Sequence, residues 1–170
     1  LFMASNLLPH LLVTTAAHHG KKTLNHLLTH FSRLGLYVAM IRAKSQGKVH
    51  KTPFGNDATV TFRFDSEDMT TIRTALKHSA KLLFSAGATE LYLPISGSNG
   101  IHNLNGLNVL LDDLRPSDLE IVSVHAMSSC AIGIKRDSSI VSPGGNLWDA
   151  KNVMVTDASI VPSTTGESPQ

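Results

Sequence analysis

Ala58-Thr59-Val60-Thr61-Phe62-Arg63-Phe64 is followed at once by Ser66-Glu67-Asp68-Met69 and a run that closes at Ala86-Gly87-Ala88. In the first part Val60, Phe62 and Phe64 alternate with Thr59, Thr61 and Arg63. That alternation predicts a strand with one buried face. In the second part Met69, Ile72, Leu76, Ala80 and Leu83 fall at helical spacing and form one apolar stripe. Ser66 is placed to cap this helix, Glu67 and Asp68 complement the positive end of its dipole, and Gly87 stops it. Residues 91–95 read as the next strand. Strand, helix and strand in this order suit a parallel pair joined by a right-handed crossover, with Pro94 favouring an edge. The fold class this predicts is α+β, a mixed or antiparallel sheet with helices on one face.

Upstream, Leu24, Leu27, Leu28, Phe31 and Leu34 predict a helix over 21–34 that Gly35 ends. A strand-like stretch follows at 36–42, and an extended segment begins at 47–49. Downstream, 96–106 is rich in Gly, Ser and Asn and reads as a surface loop, while 107–114 reads as either helix or strand. Pro116 and Ser117 mark a break, so a boundary near 116 divides the chain into 1–116 and 117–170. Beyond it come a short strand at 121–124 leading into His125, a Gly- and Pro-containing turn at 142–146, and a final apolar strand at 153–155 that runs on to Asp157.

Bulk properties narrow the function classes. Hydrophobic residues make up 42% of the 170 and charged ones 16%, enough for a buried core and unlike a disordered chain. Net charge is +2, and Lys21-Lys22 and Lys135-Arg136 are the only basic doublets. That is too little to track a phosphate backbone, which argues against nucleic acid. The single cysteine, Cys130, excludes an internal disulfide framework and any multi-cysteine zinc site, and suits a reducing, cytoplasm-like compartment. The apolar run 7–17 is interrupted by Pro9 and His10 and falls short of the roughly 20 residues a transmembrane helix takes. It also lacks the basic start and cleavage site of a signal peptide. Leu1 at the start and Gln170 at the end both read as cuts in a longer chain.

Two segments carry candidate chemistry. One is Ser123-Val124-His125-Ala126-Met127-Ser128-Ser129-Cys130-Ala131-Ile132-Gly133, and the other is Asn152-Val153-Met154-Val155-Thr156-Asp157-Ala158-Ser159-Ile160-Val161-Pro162, continuing to Gly166-Glu167-Ser168-Pro169-Gln170. The second reads as a buried strand ending in an acidic and small-residue turn, where α/β folds bind ligands. Spacing alone favours a plainer reading, a turn capped by Asp157. A histidine at a strand end suits general-base chemistry near neutral pH, although a histidine satisfied by a backbone carbonyl accounts for the spacing more simply. Cys130 has no third group in sequence to complete a nucleophilic triad, so packing is its simpler role.

Together and in this order the two segments resemble the C-terminal signature of the glucose–methanol–choline (GMC) oxidoreductases, in the branch with the long-chain alcohol oxidases. The elements that carry the resemblance are His125 through Cys130, Gly144-Gly145, Asn152 through Ser159, Pro162, and Gly166 through Pro169. It extends loosely upstream to about residue 36. The resemblance implies that 1–116 belongs to a substrate-binding lobe, and that 117–170 returns as the C-terminal piece of an FAD-binding α/β domain. It implies FAD as cofactor, an alcohol as substrate, and a missing N-terminal half holding most of the FAD as partner. His125 matches the residue that takes the hydroxyl proton while hydride passes to the flavin. Asp157 and Ala158 match the turn against the ribityl and pyrophosphate groups, and Pro169 and Gln170 match the stretch beside the flavin pyrimidine edge.

Four positions depart from the pattern. Ser168 stands where the family has Asn or His; as a hydroxyl it can share a hydrogen bond with His125 but is no base at neutral pH. Ser128 replaces a glycine, and Ala131-Ile132 replaces an Arg-Met pair. The glycine-rich fingerprint that cradles the FAD pyrophosphate is absent from this chain. A catalytically inactive, truncated or degenerate lobe acting as an interaction module is therefore the alternative expectation. A zinc hydrolase built on His26 and His30, four apart on a helix, lacks the catalytic glutamate and a third ligand, which leaves a solvated helix face as the simpler reading. His10, His18 and His19 could extend such a cluster only if the fold gathered them. Lys135-Arg136-Asp137-Ser138 reads as a charged turn, and Trp148 as packing for a turn.

Overall fold

The computed structural model describes residues 1–53, 55, 57–123 and 126–166. Among them the fold is α+β, with four α-helices and two small antiparallel sheets of two strands each. The chain gathers into two compact units, Leu1–Ile41 with Phe64–Val122, and Arg42–Arg63 with the described part of Ser123–Gln170.

In the first unit β1 (Phe2–Ser5) pairs with β2 (Leu36–Ala39), Phe2 opposite Ala39 and Ser5 opposite Leu36. Two helices lie between them in sequence, α1 (Pro9–Ala16) and α2 (Lys21–Thr29). Pro9 opens α1 where its missing N–H has no intrahelical partner to lose. The two helices close on Leu12, Ala16 and Leu27, with Leu24, Phe31 and Leu34 packed around them. The helix predicted over 21–34 is therefore two pieces. The α-helix stops at Thr29, and Phe31–Arg33 continues as a tighter 3₁₀ turn.

The main core is built by α3 (Ser66–Ser85) and α4 (Leu104–Asp112). Met69, Ile72, Leu76 and Ala80 are buried as the stripe predicts, and Leu83 is half-buried. They meet Leu93, Ile95, Ile101, Leu107, Leu111 and Leu114. The cap of α3 is Asp65 rather than Ser66: its carboxylate accepts the Asp68 amide at 2.8 Å. An anionic acceptor one residue earlier suits the positive helix end better than a hydroxyl. The ambiguous stretch 107–114 resolves as helix because Asn103 caps α4, accepting the Gly106 amide at 2.8 Å, and Leu107 and Leu111, one turn apart, are both buried. Arg73 of α3 then satisfies the open end of α4, donating to the carbonyls of Leu111 and Leu114 at 3.1 and 2.7 Å.

The parallel pair expected from 58–64 and 91–95 does not form. β4 (Ala58–Thr61) pairs antiparallel with β3 (Lys48–Lys51) in the second unit, whereas Leu91 bridges Ile101 and Ile95 bridges Leu119, both antiparallel. A partner a few residues away closes a shorter loop than a crossover does, at lower entropic cost. Of the strand's predicted buried face, Val60 and Phe62 are exposed and only Phe64 is half-buried. Val49 and Val60 sit opposite each other on one face of the β3–β4 ribbon and are 56% and 66% accessible. A two-stranded ribbon offers no second layer to cover them.

Histidines shape one contact of the first unit. His19 donates from Nδ1 to the Ser98 carbonyl at 2.8 Å, and its ring lies 4.0 Å from that of His18 and edge-on to Tyr92. Tyr92 in turn donates to Glu90, which also faces His102. Burial, opposed by the Ser98 bond and aided by His18, holds the His19 pKa below its usual 6.5. Burial and the Glu90 carboxylate push Tyr92 up to about 12. A histidine with a lowered folded-state pKa favours folding only while neutral. Its contribution is present above about pH 6.5 and is lost as pH falls below that value, because the unfolded chain then binds the proton more readily. Urea midpoints measured at pH 7 and pH 5 are expected to show a smaller acid loss in His19→Asn, whose amide still donates to Ser98. Equal losses in the variant and the parent chain would rule out His19 as the cause.

Candidate functional site

The second unit is organised around Val141, which is fully buried. It bridges Ile132 on one side and Leu147 on the other, and its carbonyl accepts the Gly133 amide at 3.0 Å. Gly145, at φ +84°, turns the chain beneath it, a backbone conformation that any side chain there would strain. The turn lets 145–147 run antiparallel to 153–155, with the Val155 amide on the Gly145 carbonyl and the Leu147 amide on the Val153 carbonyl. The expected buried strand at 153–155 is reduced to this one-sided pairing. Val153 and Met154 are exposed and Val155 is half-buried, since nothing among the described residues covers the other side. Trp148 packs a turn as predicted, half-buried and donating its indole N–H to Ser139 at 2.9 Å.

The segment then delivers Asp157 and Ala158 to the surface. Asp157 caps a single 3₁₀ turn, Ala158–Ile160, its carboxylate accepting the Ser159 amide at 2.8 Å. Hydrogen bonds from Ser159, side chain first and backbone second, hold the Asp157 pKa below the ordinary carboxylate value, so it is anionic at neutral pH. Ala158 is exposed, carries only a methyl group, and among the described residues its amide N–H meets no acceptor.

The two chemistry-bearing segments of the sequence lie side by side here. The Cys130 amide donates to the Ser159 carbonyl at 3.0 Å and the Ile132 amide to the Ile160 carbonyl at 2.9 Å. The Ser128 hydroxyl donates to the Val161 carbonyl at 3.0 Å. Cys130 takes part through its backbone, in keeping with a packing role. Ser128 is at φ +71°, the left-handed region, where a side chain costs about 1–2 kcal/mol relative to glycine. That geometry explains why glycine suits this position and gives the serine a distinct local role. Sequence reasoning registered the substitution but not the bond it makes; the clue was a non-glycine residue in a glycine's place.

His125, Ser168, Pro169 and Gln170 lie outside the described residues. Of the other candidates, His26 and His30 are neighbours on α2 with ring centres 4.5 Å apart, and His30 donates to the His26 carbonyl at 2.9 Å. His18 and His19 face Leu93 and Ser98 instead, so the fold does not bring these two together with His26 and His30. Among the described residues no three His, Cys, Asp or Glu side chains are placed to hold a metal ion. Nor is any described helix long and apolar enough to cross a membrane.

Comparison with known proteins gives these segments their context. No solved structure matches the chain significantly. An uncharacterized GMC-type oxidoreductase of Sinorhizobium fredii is 29% identical over 137 residues, covering 80% of this chain and 27% of that protein. A long-chain-alcohol oxidase of Arabidopsis thaliana is 25% identical over 148 residues, covering 82% of this chain and 20% of its own length. An uncharacterized GMC-type oxidoreductase of Mycobacterium tuberculosis is 28% identical over 138 residues, covering 81% and 22%. This chain thus spans about a fifth to a quarter of the length of these relatives. The family model for GMC oxidoreductases, in its C-terminal part, matches residues 43–170, which include both chemistry-bearing segments and all of the second unit from residue 43 onward. By that match the chain belongs to the GMC oxidoreductase family, whose members are generally flavin-dependent enzymes oxidising alcohols.

Proposed function

We propose that this chain acts as the C-terminal part of an FAD-dependent oxidoreductase that oxidises an alcohol CH–OH group. The single observation that carries the reading is the pairing of residues 128–132 with 159–161, which joins the stretch following His125 to the turn formed by Asp157 and Ala158. In this reading His125 takes the substrate hydroxyl proton, which makes the carbinol carbon a better hydride donor. Ser168 shares a hydrogen bond with His125 and so orients its ring. Bound FAD would accept the hydride. The turn fits the cofactor chemically. Its Ala158 N–H, which meets no acceptor among the described residues, is a donor for a ribityl or phosphate oxygen, and the methyl side chain leaves room for close approach. Asp157 keeps that turn in shape through Ser159. In this reading Pro169 and Gln170 would help hold the flavin, and the N-terminal half of the polypeptide would supply most of the remaining FAD contacts.

The test is to express the polypeptide that contains this chain and measure bound flavin and its reduction by a panel of primary and secondary alcohols. A yellow protein bleached by alcohol under anaerobic conditions supports the reading, and a colourless one overturns it. A second reading, a non-catalytic lobe that serves as an interaction module, is favoured by the serines at 128 and 168 and by exposed apolar side chains such as Val60 and Ile134. It predicts partner binding with no flavin uptake.

A further inference from the structure

Ser128 combines two features that seldom occur together in an exposed residue. Its backbone is in the left-handed region at φ +71°, and its hydroxyl reaches 33 residues along the chain to the Val161 carbonyl at 3.0 Å. Glycine would take that backbone without strain but has no hydroxyl to give. Two backbone bonds join the same segments, from the amides of Cys130 and Ile132, and both lie farther from His125 in sequence than Ser128 does. Among the described residues the link nearest to His125 is therefore a side chain. A strained, non-glycine residue persists where its surroundings hold it, and here a hydrogen bond to the opposite segment does so.

We propose that Ser128 is a positioning residue: its hydroxyl ties the downstream end of the segment carrying His125 to the segment that follows Asp157 and Ala158. The role rests on the flavin reading above, since the tie matters for catalysis only if those two segments serve one reaction. Proton removal and hydride transfer need their groups held in one geometry, and misplacement by about an ångström lowers the rate steeply. Freeing one end of the His125 segment slows turnover without altering how tightly the alcohol binds.

Three substitutions separate the hydroxyl from the backbone. Ser128→Ala keeps the strain and loses the bond, Ser128→Gly relieves the strain and loses the bond, and Ser128→Asn tolerates the left-handed backbone while its amide can donate to Val161. Hydrogen–deuterium exchange on this chain reads the tie directly. The Cys130 and Ile132 amides are expected to exchange about three- to tenfold faster in the Ala and Gly variants and near the parent rate in Asn. In the flavin-loaded polypeptide kcat is expected to fall by about 10- to 100-fold in Ala and Gly with KM within about twofold, and to recover in Asn. Unchanged exchange in both Ala and Gly overturns the tie. Faster exchange with unchanged kcat overturns the positioning role and leaves a structural bond. A polypeptide that takes up no flavin overturns the flavin reading and the catalytic role with it, whereas the exchange rates still decide whether the tie exists.

Discussion

Replacing His125 by Ala in the flavin-loaded polypeptide is expected to slow anaerobic flavin reduction by alcohol about 10²–10⁴-fold, the range over which a positioned general base contributes. The loss falls on the chemical step. A carbinol that keeps its proton is a poor hydride donor, and Ser168 cannot stand in, because a hydroxyl does not accept a proton at neutral pH. Flavin content is expected to stay at the parent level, since the reading assigns the cofactor to other residues, so absorbance before mixing serves as the internal control. Added imidazole is expected to restore part of the rate by supplying the missing base in solution. Stopped-flow traces in which the variant reduces its flavin within threefold of the parent rate, at equal flavin content, would remove His125 from the mechanism.

Leu111→Ala is expected to destabilise the first unit by about 2–5 kcal/mol. Leu111 is fully buried in α4, one turn from the equally enclosed Leu107, and faces the stripe of Met69, Ile72, Leu76 and Ala80 on α3. Removing the methine and two methyl carbons there loses their transfer free energy. It also leaves a cavity that two helices pinned together by Arg73 cannot readily close. Against a typical domain stability of about 5–15 kcal/mol this is a large fraction. Val109 on the same helix is 72% exposed, and Val109→Ala serves as the control, with an expected change of about 0.5 kcal/mol or less. Guanidinium denaturation curves that place Leu111→Ala and Val109→Ala at the same midpoint would show that this helix pair is not the core.

The long helix α3 was legible because its signal is local, whereas α1 was not foreseen and α4 was left between helix and strand. The spacing of Met69, Ile72, Leu76 and Ala80 marks the buried face whatever the helix packs on, and a turn residue near each end marks its limits. The choice of Asp65 over Ser66 as the cap was a matter of one residue, decided by backbone conformation at the junction. Strand partners were less legible. Alternation in 58–64 shows that one face is apolar but not which chain segment lies alongside, and here the neighbour is 48–51 rather than 91–95. Nor does alternation say whether anything covers that face: Val60 obeys the pattern and is still exposed. At the candidate site, the two segments and the glycine-to-serine exchange could be read in sequence order, whereas the hydroxyl link between them spans 33 residues and leaves no periodic trace.

By itself the sequence determined α3 with its buried face, the helical start of 21–34, the α+β class, and the family signature in residues 123–170. Each of these depends on residue types at short, fixed spacings along one stretch of chain. Helix α1 and the helical choice at 107–114 came only with the structure. Only the tertiary structure decided that β3 takes β4 as its partner, that His18 and His19 serve carbonyls at 93 and 98 instead of joining His26 and His30, and that Ser128 reaches Val161. Those outcomes are set by which distant segments come within hydrogen-bonding distance, through a balance of loop entropy, burial and backbone strain summed over the whole fold.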